Sequence, residues 1–229
     1  MKIGIIAAME EELRTLLPHL QEATEIEVLG KTYYKGKLGQ HEVVLVQSGI
    51  GKVMSAMSVA ILADHFEVDA LINTGSAGAV AEGLAIGDVV VASKLAYHDV
   101  DVTAFGYTFG QMAGQPLYFE SNSHLVTIFE QALKKQGLPS HIGLIATGDS
   151  FIASQEKIDI IKSQFPDVLA VEMEGAAIAQ AAQNIGKPFV VVRAMSDTAN
   201  HDANISFDDF VVQAGAKSAQ TLLEFLQLL

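Results

Sequence analysis

The chain has 229 residues, half of them hydrophobic, which is enough to bury a full core in a single domain over residues 1–229. The 14 Lys and Arg residues against 27 Asp and Glu residues give a formal net charge of -13, which argues against nucleic acid or a membrane as partner. The absence of cysteine excludes disulfides and thiolate metal ligands, and the first apolar stretch is too short for a signal sequence, so we expect a cytoplasmic protein.

Apolar periodicity predicts strands that alternate with helices. The predicted strands are 2–7, 24–29, 32–38, 42–47, 70–74, 87–97, 141–146, 168–172 and 189–195. A helix is predicted from the spacing of Leu13, Leu16, Leu17 and Leu20, with Pro18 ending or kinking it, and others are predicted at 51–66, 123–136, 155–164, 174–185 and 206–228. Ser206 and Asp209 are predicted to cap the last helix. This alternation predicts an α/β fold, a three-layer sandwich around a mixed, largely parallel sheet.

Polar and small residues follow several of these strands at their carboxyl ends, where ligands bind in open α/β sheets. The segment Gly75-Ser76-Ala77-Gly78 after the strand at 70–74 lets backbone approach a flat ligand closely. Taken alone it favours an ordinary strand-to-helix turn, because the full dinucleotide fingerprint is absent.

Three glutamates at or near strand ends are candidate site residues. Glu172 and Glu174 stand in an apolar stretch where an unpaired carboxylate is costly to bury. An exposed helix start is equally compatible with Glu172, whereas Glu174 suits a sugar diol. The spacing of Glu12, which follows two other glutamates, favours the solvated beginning of a helix.

Arg193 lies near the end of the last predicted strand, and Asp197 follows that strand. Asp197 follows a long β-branched run and has a hydroxyl neighbour in Ser196, although an Asp that caps a turn gives the same pattern. Arg193 is compatible with holding an anion or a water, or with a structural salt bridge inside the sheet.

Two further motifs do not predict a ligand. The segment 49–52, Gly-Ile-Gly-Lys, is similar to the end of a phosphate loop, but Val53 stands where Ser or Thr is required and the leading glycine is missing. His98, Asp99 and Asp101 lack a diagnostic metal spacing and favour an exposed polar turn or a subunit contact. No metal is predicted.

Ordered motifs along nearly the whole chain resemble those of the bacterial 5'-methylthioadenosine/S-adenosylhomocysteine nucleosidases, within the nucleoside phosphorylase superfamily. The motifs are Gly4–Glu12, Ser48–Val53, Ile72–Gly78, Tyr97–Asp99, Asp101–Tyr107, Gly148–Asp149, Phe151–Ile152, Val171–Glu174, Val190–Arg193 and Ser196–Asp197. The resemblance implies a nucleoside phosphorylase-like fold and hydrolysis of the N-glycosidic bond of an adenine nucleoside thioether, without a cofactor.

The resemblance also implies a role for individual residues. Asp197, oriented by Ser196, is the general acid at adenine N7, and Glu12 activates the attacking water. The implied substrate contacts are Glu174 and the Met173 backbone at the ribose hydroxyls; Arg193 and Ser76 at the water and ribose; Phe151, the Ile152 backbone, Ala77 and Gly78 at adenine; and Met9, Ile50 and Phe207 at the sugar and 5'-thioether. A neighbouring subunit adds Val102 and Phe105, which implies a homodimer.

Water is favoured over phosphate as the nucleophile. The related phosphorylases have an arginine near the position of Asn73 and another in the first loop, where this chain has glutamates at 10–12. A carboxylate there would repel phosphate but could accept a proton from water. The alternatives are a phosphorylase on the same fold and a noncatalytic nucleoside-binding module, which is expected to lack Glu12 or Asp197.

Overall fold

The computed structural model describes residues 1–199 and 203–229, except the side chains of 203–206 and 208. The strands are β1 Lys2–Ala7, β2 Gln21–Val28, β3 Lys31–Leu38, β4 His41–Gln47, β5 Ala70–Ala79, β6 Val89–Tyr97, β7 Phe119–Glu120, β8 His141–Thr147, β9 Val168–Glu172 and β10 Phe189–Asp197. The helices are α1 Glu10–Leu13, α2 Lys52–Asp64, α3 Ser123–Lys135, α4 Gln155–Gln164, α5 Gly175–Asn184 and α6 Ala203–Leu228, with short 3-10 helices at Leu17–His19 and Thr103–Phe105. The predicted α/β class is confirmed.

The described strands form one mixed sheet in the order β10-β6-β8-β9-β5-β1-β4-β3-β2, with β7 paired to β6. Because β10 also pairs with β5, the sheet closes into a ring of five strands, β10, β6, β8, β9 and β5. Strands β1, β4, β3 and β2 extend from β5 in that order. The parallel pairs are β1–β4, β1–β5, β5–β10, β6–β8 and β8–β9. The pairs β2–β3, β3–β4, β5–β9, β6–β7 and β6–β10 are antiparallel.

Helices cover both faces of this sheet. Neighbouring residues of a strand point to opposite faces, so Ile5 packs in the core beneath α1, α3 and α6 and Ile6 in the core beneath α2 and α5. In the first of these cores Phe129 of α3 stacks on Phe225 of α6 with ring centroids 4.0 Å apart. The result is the predicted three-layer arrangement.

Strand β5 extends beyond its predicted end, which corrects the interpretation of residues 75–78. Ser76 pairs with Ala194 and Gly78 with Asp197, so the segment lies within the sheet and is not a turn before a helix. At Gly78 an added Cβ would lie 2.8 Å from Asp197 Oδ1, so glycine is needed for this close pairing. The extension brings β5 and β10 side by side where the candidate residues lie.

Two helix predictions differ from the structure. The first helix has only four residues and ends at Leu13, so Pro18 does not end it but lies in the 3-10 helix that follows. Helix α6 begins at Ala203, so Ser206 is not its N-terminal cap, and the side chain of Ser206 lies outside the described residues. Among the described helices, none combines the length and apolar character that crossing a membrane requires.

Candidate active site

A cavity of about 400 Å³ lies where the ends of β1, β9 and β10 meet the second half of β5. Thirteen of the predicted site residues line it: Met9, Glu12, Ile50, Ser76, Ala77, Gly78, Phe151, Met173, Glu174, Arg193, Ser196, Asp197 and Phe207. Ile152 lines an adjoining recess of about 30 Å³ that shares Asp197 and Phe151 with the cavity. Residues from both ends of the chain, such as Met9 and Phe207, thus meet around one space.

Glu12 is buried, contrary to the solvated helix start that its spacing favours. Its Oε2 accepts hydrogen bonds from the backbone N–H of Ala8 at 2.8 Å and of Met9 at 3.2 Å. Its Oε1 accepts from the Ser76 N–H at 2.9 Å and the Ser76 hydroxyl at 3.1 Å. The side chain turns back over the start of α1 and is held at the cavity wall by donors on both oxygens.

Asp197 is the last residue of β10 and is 2% exposed. The Ser196 hydroxyl donates to its Oδ2 at 2.9 Å, and the Ala199 N–H donates to its Oδ1 at 2.8 Å. Burial raises the pKa of Asp197, while these two hydrogen bonds act in the opposite direction. The net effect favours a carboxylic acid that carries a proton closer to neutrality than a free aspartic acid does.

Arg193 is buried and bridges several groups at the floor of the cavity. Its Nη2 lies 2.5 Å from Glu172 Oε2 and 3.3 Å from Glu174 Oε2, and it donates to Asn73 Oδ1 at 2.5 Å. Its Nη1 donates to the Ser76 carbonyl at 3.2 Å. Arg193 therefore forms the salt bridge inside the sheet and also lines the cavity.

The carboxyl group of Glu174 is buried in the cavity wall and has a raised pKa. Burial raises the pKa of Glu174 to about 7, and the charges of Glu172 and Glu12 add to this increase. Arg193 and the Gly51 N–H, which donates to Glu174 Oε1 at 2.9 Å, oppose it. Its carboxyl group faces the cavity, where a pair of hydroxyls could donate to it.

Glu172 is a cavity residue that sequence reasoning left undecided. It is buried, so the exposed helix start is wrong, and it accepts from the Glu174 and Gly175 N–H groups at 3.0 and 2.7 Å and from the Thr147 hydroxyl. The signal in the sequence was a single carboxylate among apolar residues. Ala8 and Val171 also line the cavity and carried no such signal.

Gly75 lies between Glu12 and Arg193. An added Cβ would be 2.5 Å from Arg193 Nη1 and 2.7 Å from Glu12 Oε1, distances that real Cβ atoms do not tolerate. Only glycine therefore lets these two side chains approach each other across β5.

Aromatic side chains stand on one side of the cavity. The rings of Phe151 and Phe207 are 5.5 Å apart at an interplanar angle of 75°, and Phe151 is partly exposed. Val102 and Phe105 do not line this cavity, and Phe105 is 82% exposed on the 3-10 helix at Thr103–Phe105. The predicted role of Val102 and Phe105 in a neighbouring site stays a prediction.

Of the three residues His98, Asp99 and Asp101, the two aspartates have side-chain partners and the histidine is packed in the interior. His98 is buried against Gly148, so the expected exposed turn is wrong for it, while Asp99 pairs with Lys52 and Asp101 accepts from Thr103. In the part of the chain that the structure describes, no group of three or more His, Cys, Asp or Glu side chains is arranged to hold a metal ion.

The charge of the cavity limits what it can bind. Among its described lining residues Arg193 is the only cation, and the same lining holds four carboxyl groups, those of Glu12, Glu172, Glu174 and Asp197. A dianion such as phosphate would meet net repulsion, whereas a neutral polyhydroxyl ligand with an aromatic part fits the carboxyl groups and the phenyl rings.

Comparisons with known proteins agree with this geometry. The phosphorylase superfamily model matches residues 2–227. Over 231 residues, 99% of each chain, the sequence is 46% identical to the 5'-methylthioadenosine/S-adenosylhomocysteine nucleosidase of Listeria monocytogenes. The structure is similar to the S-adenosylhomocysteine nucleosidase of Streptococcus pyogenes in complex with 5-methylthiotubericidin, with a TM-score of 0.98, 67% identity and coverage of 99% of this chain and 96% of that chain. It is also similar to the Streptococcus pneumoniae 5'-methylthioadenosine/S-adenosylhomocysteine nucleosidase with the transition-state inhibitor MT-ImmA, with a TM-score of 0.97, 68% identity and 99% coverage of each chain.

Proposed function

The chain belongs to the phosphorylase superfamily and, within it, to the 5'-methylthioadenosine/S-adenosylhomocysteine nucleosidases, and we propose that its cavity hydrolyses the N-glycosidic bond of these two nucleosides. The products are adenine and the corresponding thioribose. The observation that carries the proposal is the convergence of two buried carboxyl groups, Glu12 and Asp197, on one cavity with an aromatic side.

Asp197 is the general acid. The bond between adenine and ribose breaks more easily when the base leaves as a neutral species, so a proton must reach adenine N7. The raised pKa of Asp197 supports this role because burial favours the protonated form. The hydroxyl of Ser196, 2.9 Å from Oδ2, fixes the orientation of the carboxyl group.

Glu12 is the general base. As the glycosidic bond breaks, positive charge develops on the ribose and a water attacks its anomeric carbon. The carboxylate of Glu12 takes one proton from that water, and the remaining hydroxyl bonds to the anomeric carbon. The proton that Glu12 takes balances the proton that Asp197 gives to adenine. The Ser76 N–H and hydroxyl on Oε1 hold the carboxylate in place for this step.

The ribose and the base have their own contacts. Glu174 accepts hydrogen bonds from the 2' and 3' hydroxyls, a role for which a buried carboxyl group facing the cavity is suited. Adenine stacks against Phe151, and its edge reaches the recess at Ile152. Met9, Ile50 and Phe207 surround the sugar and the 5'-thioether.

A phosphorylase on the same fold is the second candidate. Its nucleophile needs cations or a ring of free donors, but Arg193 is already engaged by Glu172, Glu174 and Asn73. The acidic cavity supports water, which carries no charge to be repelled.

We also propose that the enzyme acts as a homodimer in the cytoplasm. A covered face is supported by exposed apolar side chains on α2, namely Val53, Met54 and Met57, together with exposed Ile50, which also lines the cavity. In such a dimer Val102 and Phe105 of one subunit complete the thioether side of the other site. Light scattering should give twice the chain mass, and Phe105→Ala should raise the KM for the nucleoside.

The test is incubation of the purified protein with 5'-methylthioadenosine in buffer without and with phosphate. We expect adenine and free methylthioribose at the same rate in both. Phosphate-dependent release, with a sugar 1-phosphate as product, would establish the phosphorylase instead. The absence of adenine release in either buffer would favour a noncatalytic nucleoside-binding module.

A further inference from the structure

Lys52 lies outside the cavity lining and joins two loops that reach the cavity. Its Nζ is 2.8 Å from Asp99 Oδ2 and 3.5 Å from Asp149 Oδ2. Its backbone N–H donates to Asp149 Oδ1 at 2.9 Å, and the Asp149 N–H donates to Asp99 Oδ2 at 2.8 Å. Lys52, Asp99 and Asp149 form one connected group, which we call the rim cluster.

The rim cluster adjoins two walls of the cavity in sequence. Gly51, directly before Lys52, donates its N–H to Glu174 Oε1 at 2.9 Å on the ribose side. Phe151, two residues after Asp149, lines the cavity on the side of the base. A displacement of the rim cluster therefore changes the separation of the ribose and base contacts.

The Lys52 side chain and the loop before Asp149 both pack against neighbouring rings. The Lys52 side chain is 23% exposed, and its Nζ lies 5.3 Å from the centroid of the Tyr97 ring. At Gly148 an added Cβ would lie 2.3 Å from His98 Cε1, so the loop before Asp149 packs directly on the imidazole. The proposed function left two motifs unexplained, the Gly-Ile-Gly-Lys segment and the His98-Asp99 pair. The rim cluster contains Lys52 from the first and Asp99 from the second.

We propose that Lys52 is a positioning residue, which holds the Gly51 amide and the Phe151 ring at the separation that one nucleoside requires. This inference rests on the proposed function, since only that function assigns the Gly51 side of the cavity to the ribose and the Phe151 side to the base. The hydrogen bonds described for Glu12 and Asp197 go to residues outside the rim cluster, so loss of Lys52 should weaken nucleoside binding more than it slows bond cleavage.

Lys94 provides a matched control. Its Nζ lies 2.8 Å from Asp167 Oδ2 and 4.3 Å from the Tyr118 ring centroid, and its side chain is 26% exposed, as in the surroundings of Lys52. Neither Lys94 nor Asp167 lines the cavity. Lys94→Met thus removes an equivalent ion pair and cation–π contact with no link to Gly51 or Phe151.

The experiment compares Lys52→Met, Lys52→Arg and Lys94→Met with the wild type. It measures kcat and KM for 5'-methylthioadenosine and, by calorimetry, the Kd of adenine alone. Lys52→Met should raise KM and the adenine Kd about tenfold while kcat falls by less than about threefold. Lys52→Arg should restore most of the loss, and Lys94→Met should leave all three values within about twofold of wild type.

Values of KM and adenine Kd within about twofold of wild type in Lys52→Met would overturn the proposal, as would a fall in kcat alone. If Lys52→Met does not fold, Asp99→Asn, which removes the charge that pairs with Lys52 Nζ at 2.8 Å, must show the same rise in KM and Kd. A wild type that binds adenine but releases none from the nucleoside would refute the proposed function, and the adenine Kd of the variants would still decide on Lys52.

Discussion

Arg193 Nη2 lies 2.5 Å from Glu172 Oε2, and the two side chains are only 1% and 2% exposed. Because Glu174 Oε2 is 3.3 Å from the same nitrogen, one guanidinium serves two carboxyl groups. A buried charge that loses its partner costs far more than an exposed one. The contacts of Arg193 thus serve the stability of the sheet and the electrostatics of the cavity together.

Glu172→Gln should therefore destabilise the protein strongly. The substitution removes a negative charge that pairs with the buried Arg193 guanidinium. It also allows the new amide NH2 group to face the N–H groups of Glu174 and Gly175, which are donors too. The free energy of unfolding should therefore fall by about 3–5 kcal/mol. Urea denaturation measures it. Lys37→Met is the control, because it breaks an ion pair with Glu22 whose side chains are 46% and 71% exposed, and it should change stability by less than about 1 kcal/mol. A loss of that small size for Glu172→Gln would contradict the role of the buried pair.

The activity should depend on pH through Glu174. Its carboxylate form can accept a hydrogen bond from both ribose hydroxyls, and its pKa is raised to about 7 by burial. We expect kcat/KM for 5'-methylthioadenosine to fall as the pH drops below about 7. In Glu174→Gln kcat/KM should be lower throughout and this acid limb should disappear, whereas an unchanged acid limb would assign it to another group.

The same group should make stability depend on pH in the opposite sense. Folding raises the pKa of Glu174 from 4.5 to about 7, so the folded protein binds the proton more tightly than the unfolded chain. Its stabilising contribution is complete below pH 4.5 and is lost as the pH rises through about 7. Relative to Glu174→Gln, the wild type should lose up to about 3 kcal/mol of unfolding free energy over this range. A difference between the two proteins that stays constant with pH would contradict this.

Gly75→Ala should impair catalysis. The new Cβ would displace Glu12 Oε1 or Arg193 Nη1, which lie 2.7 and 2.5 Å from its position, and a misplaced catalytic group costs about 100-fold in kcat/KM. Gly4→Ala is the control in β1, where the Cβ meets only the side chains of Leu71, Leu62 and Val68. That substitution should reduce stability by about 1–3 kcal/mol and leave kcat/KM within about twofold of wild type. Equal kinetic effects of the two substitutions would contradict the account.

Periodicity predicted most strands and helices because their apolar residues repeat at the spacing of buried faces. It ended β5 at Thr74, since the small residues up to Ala79 have no apolar signal and only their pairing with β10 and β9 shows that the strand continues. The two-residue strand β7 exists only through its pairing with β6. Long-range pairing, which a local pattern does not contain, explains these differences.

The site was predictable where a residue type stood out in its surroundings. Asp197 and Glu174 interrupt apolar segments, and the family motifs included both. Glu172 stayed undecided because its partner Arg193 comes from another strand, and Glu12 had the local pattern of a solvated helix. Whether a carboxyl group is buried depends on which strands pack around it. The local sequence pattern does not contain that information, because the strands come together only in the folded sheet.

The rate of adenine release by Asp197→Asn tests the central claim most directly. The amide can still accept the Ala199 N–H but has no acidic proton to give to N7, so turnover of 5'-methylthioadenosine should fall by roughly 100- to 10,000-fold. Asp167→Asn, at a side chain that is 56% exposed, should keep wild-type turnover. Near-normal turnover by Asp197→Asn would contradict the assignment of Asp197 as the general acid.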